Sequence, residues 1–163
     1  MFFTNSKAFT LIEIILVSLV LIVIAGLSLP NFAKTYLGLE LKQTTKDVVY
    51  LMRYAQSRAV TKGKQMQAEF APDLKSYWIN ELSSREESES EEQFNRISGR
   101  FGKVYHIPDS VELASDFQKV HFYEDGSIEK VRVYLCLKGK DRCQTVSTKE
   151  QRAAVKVYDG KIN

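Results

Sequence analysis

From Phe9 to Leu29 the chain reads FTLIEIILVSLVLIVIAGLSL, an apolar run broken by one formal charge, Glu13. Few folds can absorb such a run. As an α-helix rising ~1.5 Å per residue it is about long enough to cross a bilayer hydrocarbon core of roughly 30 Å, so residues 9–29 are expected to span a membrane. A secretory leader would carry a shorter apolar run and a small-residue cleavage site behind it, and this run is too long for that. Lys7 stands in front of the run and Lys34 is the first basic residue behind it. A cation at the front favours a cytoplasmic N-terminus and export of everything after Leu29.

Glu13 needs an explanation, because a carboxylate within an apolar span costs about 2.5 to 3.5 kcal/mol at the helix centre and less near its end. One is local: Thr10-Leu11-Ile12-Glu13 fits the capping-box pattern, and an acidic residue in the first turn suits the helix dipole.

The wider context adds a second explanation. Lys7-Ala8-Phe9-Thr10-Leu11-Ile12-Glu13, the apolar run, and then Leu29-Pro30-Asn31-Phe32 together resemble the N-terminus of type IV prepilins and type II secretion pseudopilins. The resemblance implies a prepilin leader over residues 1–8, cleavage by a prepilin peptidase between Ala8 and Phe9, and N-methylation of Phe9. Glu13 becomes the fifth residue of the mature chain, and Pro30 falls where the family commonly carries a helix-distorting proline. The family's usual residue before the cut is Gly; here it is the small Ala8. The physics is independent of the family: a cut before Phe9 creates a positive amine in apolar surroundings. Two subunits staggered by about one helical turn could pair that amine with Glu13 and relieve both desolvation costs. Glu13 and Pro30 are thus the expected assembly residues.

Beyond Pro30, which should distort the helix rather than end it, Leu37, Leu41, Val48, Met52, Ala55 and Ala59 recur at helical spacing. Lys42, Lys46, Arg53, Arg58 and Lys62 lie largely off that face, and Gly63 reads as the stop. Residues 30–62 are therefore an amphipathic continuation, giving one helix from about Phe9 to Lys62. The stretch from Asp47 to Gly63, DVVYLMRYAQSRAVTKG, resembles the corresponding helix of the GspH/FimT family, minor pseudopilins of type II secretion together with related minor pilins.

Residues 63–163 change to strand periodicity. Gln65 to Phe70 and Lys75 to Asn80 flank the turn signal Ala71-Pro72-Asp73, with Tyr77 and Trp78 on opposite faces, one of them core. The segment 83–92, SSREESESEE, has no apolar residue and reads as a solvated acidic loop. Further strands are expected at Arg100–Ile107, Val111–Ala114 and Lys119–Tyr123. Asp125-Gly126 then turns a hairpin into Ser127–Leu137, a second turn falls at Lys138–Asp141, and a last strand runs from Arg152 to Tyr158. The fold class is α+β: a long N-terminal helix, membrane-spanning in its first half, packed on a C-terminal antiparallel sheet or small sandwich. The segments from Val120 to Ser127 and from Ala154 to Ile162 also resemble the last strands of the GspH/FimT family.

Cys136 and Cys143 flank the second turn, and a disulfide closing it would stabilise by roughly 2 to 3 kcal/mol; free thiols are the alternative. No cysteine or histidine spacing supports a metal. His106 and His121 have no nucleophile or orienting acid in pattern with them, and Ser98-Gly99-Arg100-Phe101-Gly102 lacks the strand-to-helix context of a phosphate loop, so it reads as a turn. Neither an enzyme nor a cofactor is expected. Lys and Arg total 23 against 20 Asp and Glu, a net charge of +3 that names no partner. What the family resemblance implies is a minor pseudopilin in the periplasmic pseudopilus of type II secretion, anchored in the inner membrane. Its partners would be major and minor pseudopilins, the prepilin peptidase and the secretion platform. The alternative is a minor pilin of a type IV pilus, in assembly or DNA uptake, for which Lys138, Lys140, Arg142, Lys149, Arg152 and Lys156 are the candidate contacts. Strand alternation would scatter these, so nucleic acid is the less favoured partner. A plain signal anchor without filament role would show no processing at Ala8.

Overall fold

A computed structural model describes residues 9–84, 93–148 and 154–162. The chain divides into two compact units, Met1–Tyr36 and Leu37–Asn163. One helix, α1, runs over Leu11–Lys62 and continues through Pro30, which does not end it. It starts at Thr10, whose hydroxyl and carbonyl oxygens share the Glu13 N–H at 3.3 and 3.1 Å, so one donor of the first turn, which a helix start would leave unpaired, is satisfied by the cap residue. At the other end Gly63 adopts φ +58, and the Lys64 N–H reaches back to the Ala59 carbonyl at 3.2 Å. This is the left-handed glycine termination expected of Gly63.

In the second unit the helix turns Leu41, Val48, Leu51, Met52, Ala55 and Ala59 inward, each at most 1% exposed. They share one core with two antiparallel sheets. The first sheet is built from β1 (Met66–Phe70), β2 (Ser76–Ser84), β3 (Gln93–Arg96), β4 (Tyr105–His106) and β6 (Lys119–Phe122). Its order is β3-β2-β1-β6, with β4 also on β2. The second sheet has the order β5-β7-β8-β9, from β5 (Val111–Ser115), β7 (Arg132–Leu137), β8 (Cys143–Ser147) and β9 (Lys156–Asp159). The α+β expectation of a helix on antiparallel strands holds, and the strands form two sheets. Tyr77 is the core member of its pair, with burial pushing its hydroxyl far above the usual tyrosine range. Trp78 lies on the other face under the Arg96 guanidinium, 5.1 Å from the ring centroid.

Several expected boundaries shift. Ser83 and Ser84 belong to β2 rather than to the acidic loop; residues 85–92 lie outside the described residues. Arg100–Ile107 is a strand only at Tyr105–His106. Its first part is the turn expected of Ser98–Gly102, closed by the Gly102 N–H on the Gly99 carbonyl at 3.1 Å. Gly102 packs so tightly there that a Cβ would lie 1.7 Å from the Ile97 carbonyl oxygen. The turn delivers Phe101 onto Tyr54 of the helix, ring centroids 4.0 Å apart.

Ser127–Leu137 is not one strand either. Asp125-Gly126 makes its turn, with Asp125 accepting from the Ser127 N–H and hydroxyl, and Ile128 bridges Phe122. The chain then crosses between sheets, held by Thr148, whose Oγ1 accepts the Val131 N–H at 2.8 Å and donates to the Glu129 carbonyl at 2.5 Å. Only from Arg132 does β7 begin. The strands β3 and β8 were not expected from the sequence at all. The last strand starts at Lys156 rather than Arg152 and runs one residue past Tyr158; residues 149–153 lie outside the described residues.

Candidate assembly surface on the N-terminal helix

An ordinary helix of a globular domain hides one apolar stripe and shows water the rest. The first unit does the opposite. Leu11, Ile12, Ile14, Ile15, Leu16, Val17, Leu19, Val20, Leu21, Ile22, Val23 and Ile24 are all exposed, from 45% at Val20 to 81% at Leu11, and Phe9 ahead of them is 74% exposed. They point in every direction around the helix axis, so among the described residues of this unit no side of the segment is hidden. The one hydroxyl within it, Ser18, is satisfied internally by donating to the Ile15 carbonyl at 2.8 Å. Moving each such Leu, Ile or Val side chain out of water is worth about 1.5 to 3 kcal/mol, and an exposed apolar stretch of this size is a candidate association surface.

Glu13 is the single carboxylate on that surface. Its backbone N–H is taken by Thr10, while its carboxylate has no partner among the described residues. Pro30 lies within the helix; Ala8 lies outside the described residues, so nothing here bears on the cut before Phe9. Among the described residues no helix is long and apolar enough to cross a membrane. The expected span reached Leu29, and the side chains described in the helix stop at Gly26 before resuming at Thr35.

The remaining expected sites fall in the second unit. Cys136 and Cys143 are joined as a disulfide between directly opposed residues of β7 and β8, Cα atoms 4.0 Å apart. Two neighbouring strands bring these residues together because the turn Lys138–Asp141 folds one onto the other. That turn also groups Lys138, Lys140 and Arg142, all exposed, which sequence reasoning expected to be scattered; Lys149 and Arg152 lie outside the described residues.

His121 is structural: one ring nitrogen meets the Gln65 amide at 2.9 Å and the other the Gln67 amide at 3.2 Å. His106 is exposed on β4. No cluster of three or more His, Cys, Asp or Glu side chains among the described residues could hold a metal. The strongest charge pairing ties helix to sheet. Arg58 of α1 meets Glu81 of β2 at 3.0 Å and Lys64 stands 3.5 Å from the same carboxylate. Burial pushes the Glu81 carboxyl up, but the Arg58 hydrogen bond and the charges of Arg58 and Lys64 outweigh it and hold the group below its usual range. The same hydrogen bond raises Arg58. Nothing in this arrangement positions a nucleophile or a general base.

No protein-family model matches the sequence, and no curated protein matches it. Solved structures do match. The minor pseudopilin EpsH from the type 2 secretion system of Vibrio cholerae superimposes with a TM-score of 0.60, over 74% of this chain and 97% of its own, at 11% identity. A second EpsH crystal structure gives 0.58, over 76% and 96%, at 10% identity. The type IV minor pilin FimU of Pseudomonas aeruginosa gives 0.52, over 73% and 88%, at 16% identity. The chain has the pilin-like fold. At these identities what is shared is the fold, and it is the fold of the minor subunits that the GspH/FimT resemblance anticipates.

Proposed function

We propose that this chain is a minor pseudopilin, a structural subunit of the periplasmic pseudopilus of type II protein secretion. The observation that carries the reading is the segment from Phe9 to Ile24, helical from Leu11 and exposing apolar side chains on every side, in a chain with the fold of EpsH. A subunit stored in a membrane and then packed into a helical bundle uses one such surface for both states. In this reading a prepilin peptidase removes residues 1–8 between Ala8 and Phe9, and Phe9 is N-methylated. Residues 9–29 hold the protein in the inner membrane, with the N-terminus cytoplasmic and the strand-rich domain periplasmic. On assembly, Glu13 takes the Phe9 amine of a neighbouring subunit, and the helix distortion at Pro30 adapts the packing. Partners are the major and minor pseudopilins, the peptidase, and an inner-membrane platform that supplies the energy. The work done is packing and pushing, without catalysis or cofactor.

The decisive experiment is intact mass and N-terminal sequencing after coexpression with and without a prepilin peptidase. The expected product is a peptidase-dependent chain starting at methylated Phe9; a chain keeping Met1 to Ala8 under both conditions would refute the reading. Glu13→Ala should leave membrane insertion intact while incorporation into filaments drops, and unchanged incorporation would remove Glu13 from the mechanism. A second reading, a minor pilin of a type IV pilus acting in assembly or DNA uptake, draws on the likeness to FimU and on the grouping of Lys138, Lys140 and Arg142 on one turn. Salt-sensitive DNA binding lost in a triple Ala variant of that turn would favour it.

A further inference from the structure

From Gln93 to His106, the stretch that holds β3, β4 and the loop between them, the chain carries three cations, Arg96, Arg100 and Lys103, and no acid. All three are exposed, and none has a carboxylate partner among the described residues. Each rests on a ring instead. The Arg96 guanidinium lies 5.1 Å from the Trp78 centroid, that of Arg100 5.8 Å from Phe101, and the Lys103 ammonium 5.1 Å from Tyr105. A guanidinium held over a ring keeps its in-plane N–H fork for another partner.

The loop that carries these cations holds one shape. Gly99 adopts φ +91, the Gly102 N–H closes on the Gly99 carbonyl at 3.1 Å, and no side chain fits at Gly102. The rings are anchored in turn, Phe101 stacked on Tyr54 of α1 at 4.0 Å and Tyr105 on the buried Tyr77 at 5.4 Å. Burial raises the Tyr105 hydroxyl above the usual tyrosine range and the Arg100 charge opposes it, so Arg100 stands near Tyr105 as well as Phe101. Side chains already ordered on fixed rings have little freedom left to lose when a ligand arrives.

Three carboxylates border this surface, and each is engaged. Glu81 is held by Arg58 and Lys64, Glu69 opposite Trp78 takes the Asn80 amide at 2.7 Å, and Asp47 accepts from Gln43 at 2.9 Å. Glu81 also shows how a carboxylate is received here: Arg58 donates to one of its oxygens through Nε at 3.3 Å and Nη2 at 3.0 Å. A hollow of about 250 Å³ opens from that pair to Arg96, with Asn95 and Ser98 on its wall. Rings and apolar residues narrow the choice of polyanion. Single-stranded nucleic acid stacks its bases on open ring faces, whereas Phe101 and Tyr105 are each engaged by a second ring and a cation. A lipid surface takes apolar side chains beside the cations, but Ile97 is buried and Phe101 is packed against the core.

We propose that the loop between β3 and β4, through Arg96, Arg100 and Lys103, receives a glutamate- or aspartate-rich segment of a partner protein. The carboxylates of that segment take the N–H groups that the rings leave free, and the loop keeps its shape. The chemistry asked of the loop is the same whichever filament system, if any, uses the chain.

The test uses the full chain in detergent micelles and, as probe, a capped octaglutamate peptide, with an oligothymidylate of equal charge and phosphatidylglycerol added to the micelles as competitors. The expected result is saturable peptide binding that weakens with salt. Arg96→Gln, Arg100→Gln and Lys103→Gln should each weaken it about threefold and the triple variant about thirtyfold, with melting unchanged because all three side chains are exposed. Phe101→Leu keeps every charge and removes the ring beneath Arg100, and it should weaken binding as Arg100→Gln does. The glutamine variants leave the core untouched and decide the matter even if the leucine variant folds poorly. Absent binding, binding that the triple variant leaves unchanged, or tighter binding of either competitor than of the peptide would overturn the proposal. Self-association of the native chain that the triple variant abolishes would overturn it too, because the occupant would then be a second copy.

Discussion

Thr148 is where the fold can be tested most sharply. The chain leaves the first sheet after Glu129, whose N–H still bonds the His121 carbonyl, and enters the second at Arg132, and Thr148 ties the two ends of the crossing. Thr148 Oγ1 accepts the Val131 N–H at 2.8 Å and donates to the Glu129 carbonyl at 2.5 Å, while its own N–H bonds the Val131 carbonyl at 3.1 Å. Val131 is 0% and Thr148 4% exposed, so water cannot replace the hydroxyl at the Val131 N–H. Thr148→Val keeps the shape and removes the hydroxyl, leaving a buried donor unpaired at a cost of about 1 to 3 kcal/mol, with a smaller loss at the half-buried Glu129. The sum is about 2 to 3 kcal/mol. Thr148→Ser keeps both bonds and gives up one methyl group, about 0.8 kcal/mol. Urea unfolding of the full chain in detergent, followed by the fluorescence of Trp78, the only tryptophan, should show the valine variant clearly less stable than the serine variant, with unchanged denaturant slopes. A valine variant within about 0.5 kcal/mol of the native protein, or less harmful than serine, would refute the role assigned to this hydroxyl.

Reducing the Cys136–Cys143 disulfide should lower stability by about 2 to 3 kcal/mol, measured as the shift in urea midpoint with and without reductant, since the loop it closes is short. No shift would mean that the ladder between β7 and β8 already holds the turn. Glu81→Gln should cost about 0.5 to 1 kcal/mol near neutral pH, the pair being partly open to solvent. Because the folded carboxyl is held below its usual value, this contribution is present above the ordinary carboxylate range and disappears as pH falls through the depressed value. The native protein should therefore lose more stability on acidification than the Gln variant, and parallel acid curves would contradict this. Phe101→Ala should cost about 3 kcal/mol by emptying the stack on Tyr54, read from the melting temperature.

What was legible in the sequence follows the strength of local signals. The helix was readable because its apolar residues keep one period over many turns and Gly63 marks its end, where a left-handed φ is adopted. Val111–Ser115 and Lys119–Phe122 were readable for the same reason at period two. β3 escaped because QFNR holds one apolar residue on a largely exposed strand. β8 escaped for a different reason: CQTVS buries polar side chains, with Thr145 0% and Ser147 4% exposed, and the Thr145 hydroxyl is satisfied by the Gly160 carbonyl at 2.6 Å. No periodicity of hydrophobic residues announces a core position filled by a satisfied threonine. The division of Ser127–Leu137 between sheets was equally hidden, since Ile128, Val131, Val133, Leu135 and Leu137 are all buried and the crossing depends on Thr148, seventeen residues beyond Val131. At the proposed assembly surface Glu13 was legible as a lone charge. The contact of Arg53 with Val155 was not, because it joins residues 102 apart.

The geometry at Thr10 narrows the meaning of Glu13. A capping box has two arms: the hydroxyl of the first residue accepts the N–H of the fourth, and the side chain of the fourth accepts the N–H of the first. Only the first arm is made, by Thr10 Oγ1 to the Glu13 N–H at 3.3 Å, and the return bond to the carboxylate is not. Any residue at position 13 except proline would supply that N–H, so the cap explains Thr10 and leaves the carboxylate unexplained. The helix dipole favours an acid in the first turn by about 0.3 to 1 kcal/mol when exposed, less than the cost of drawing an unpaired carboxylate into lipid or into a helix bundle. In the assembly proposed above, a surface that gives up its water while keeping one charge that local structure does not need would take a cation from outside. An amine freed at Phe9 of a neighbouring subunit would have the right sign, about one turn away along the axis. The processing experiment and the Glu13→Ala variant therefore test one mechanism from its two ends.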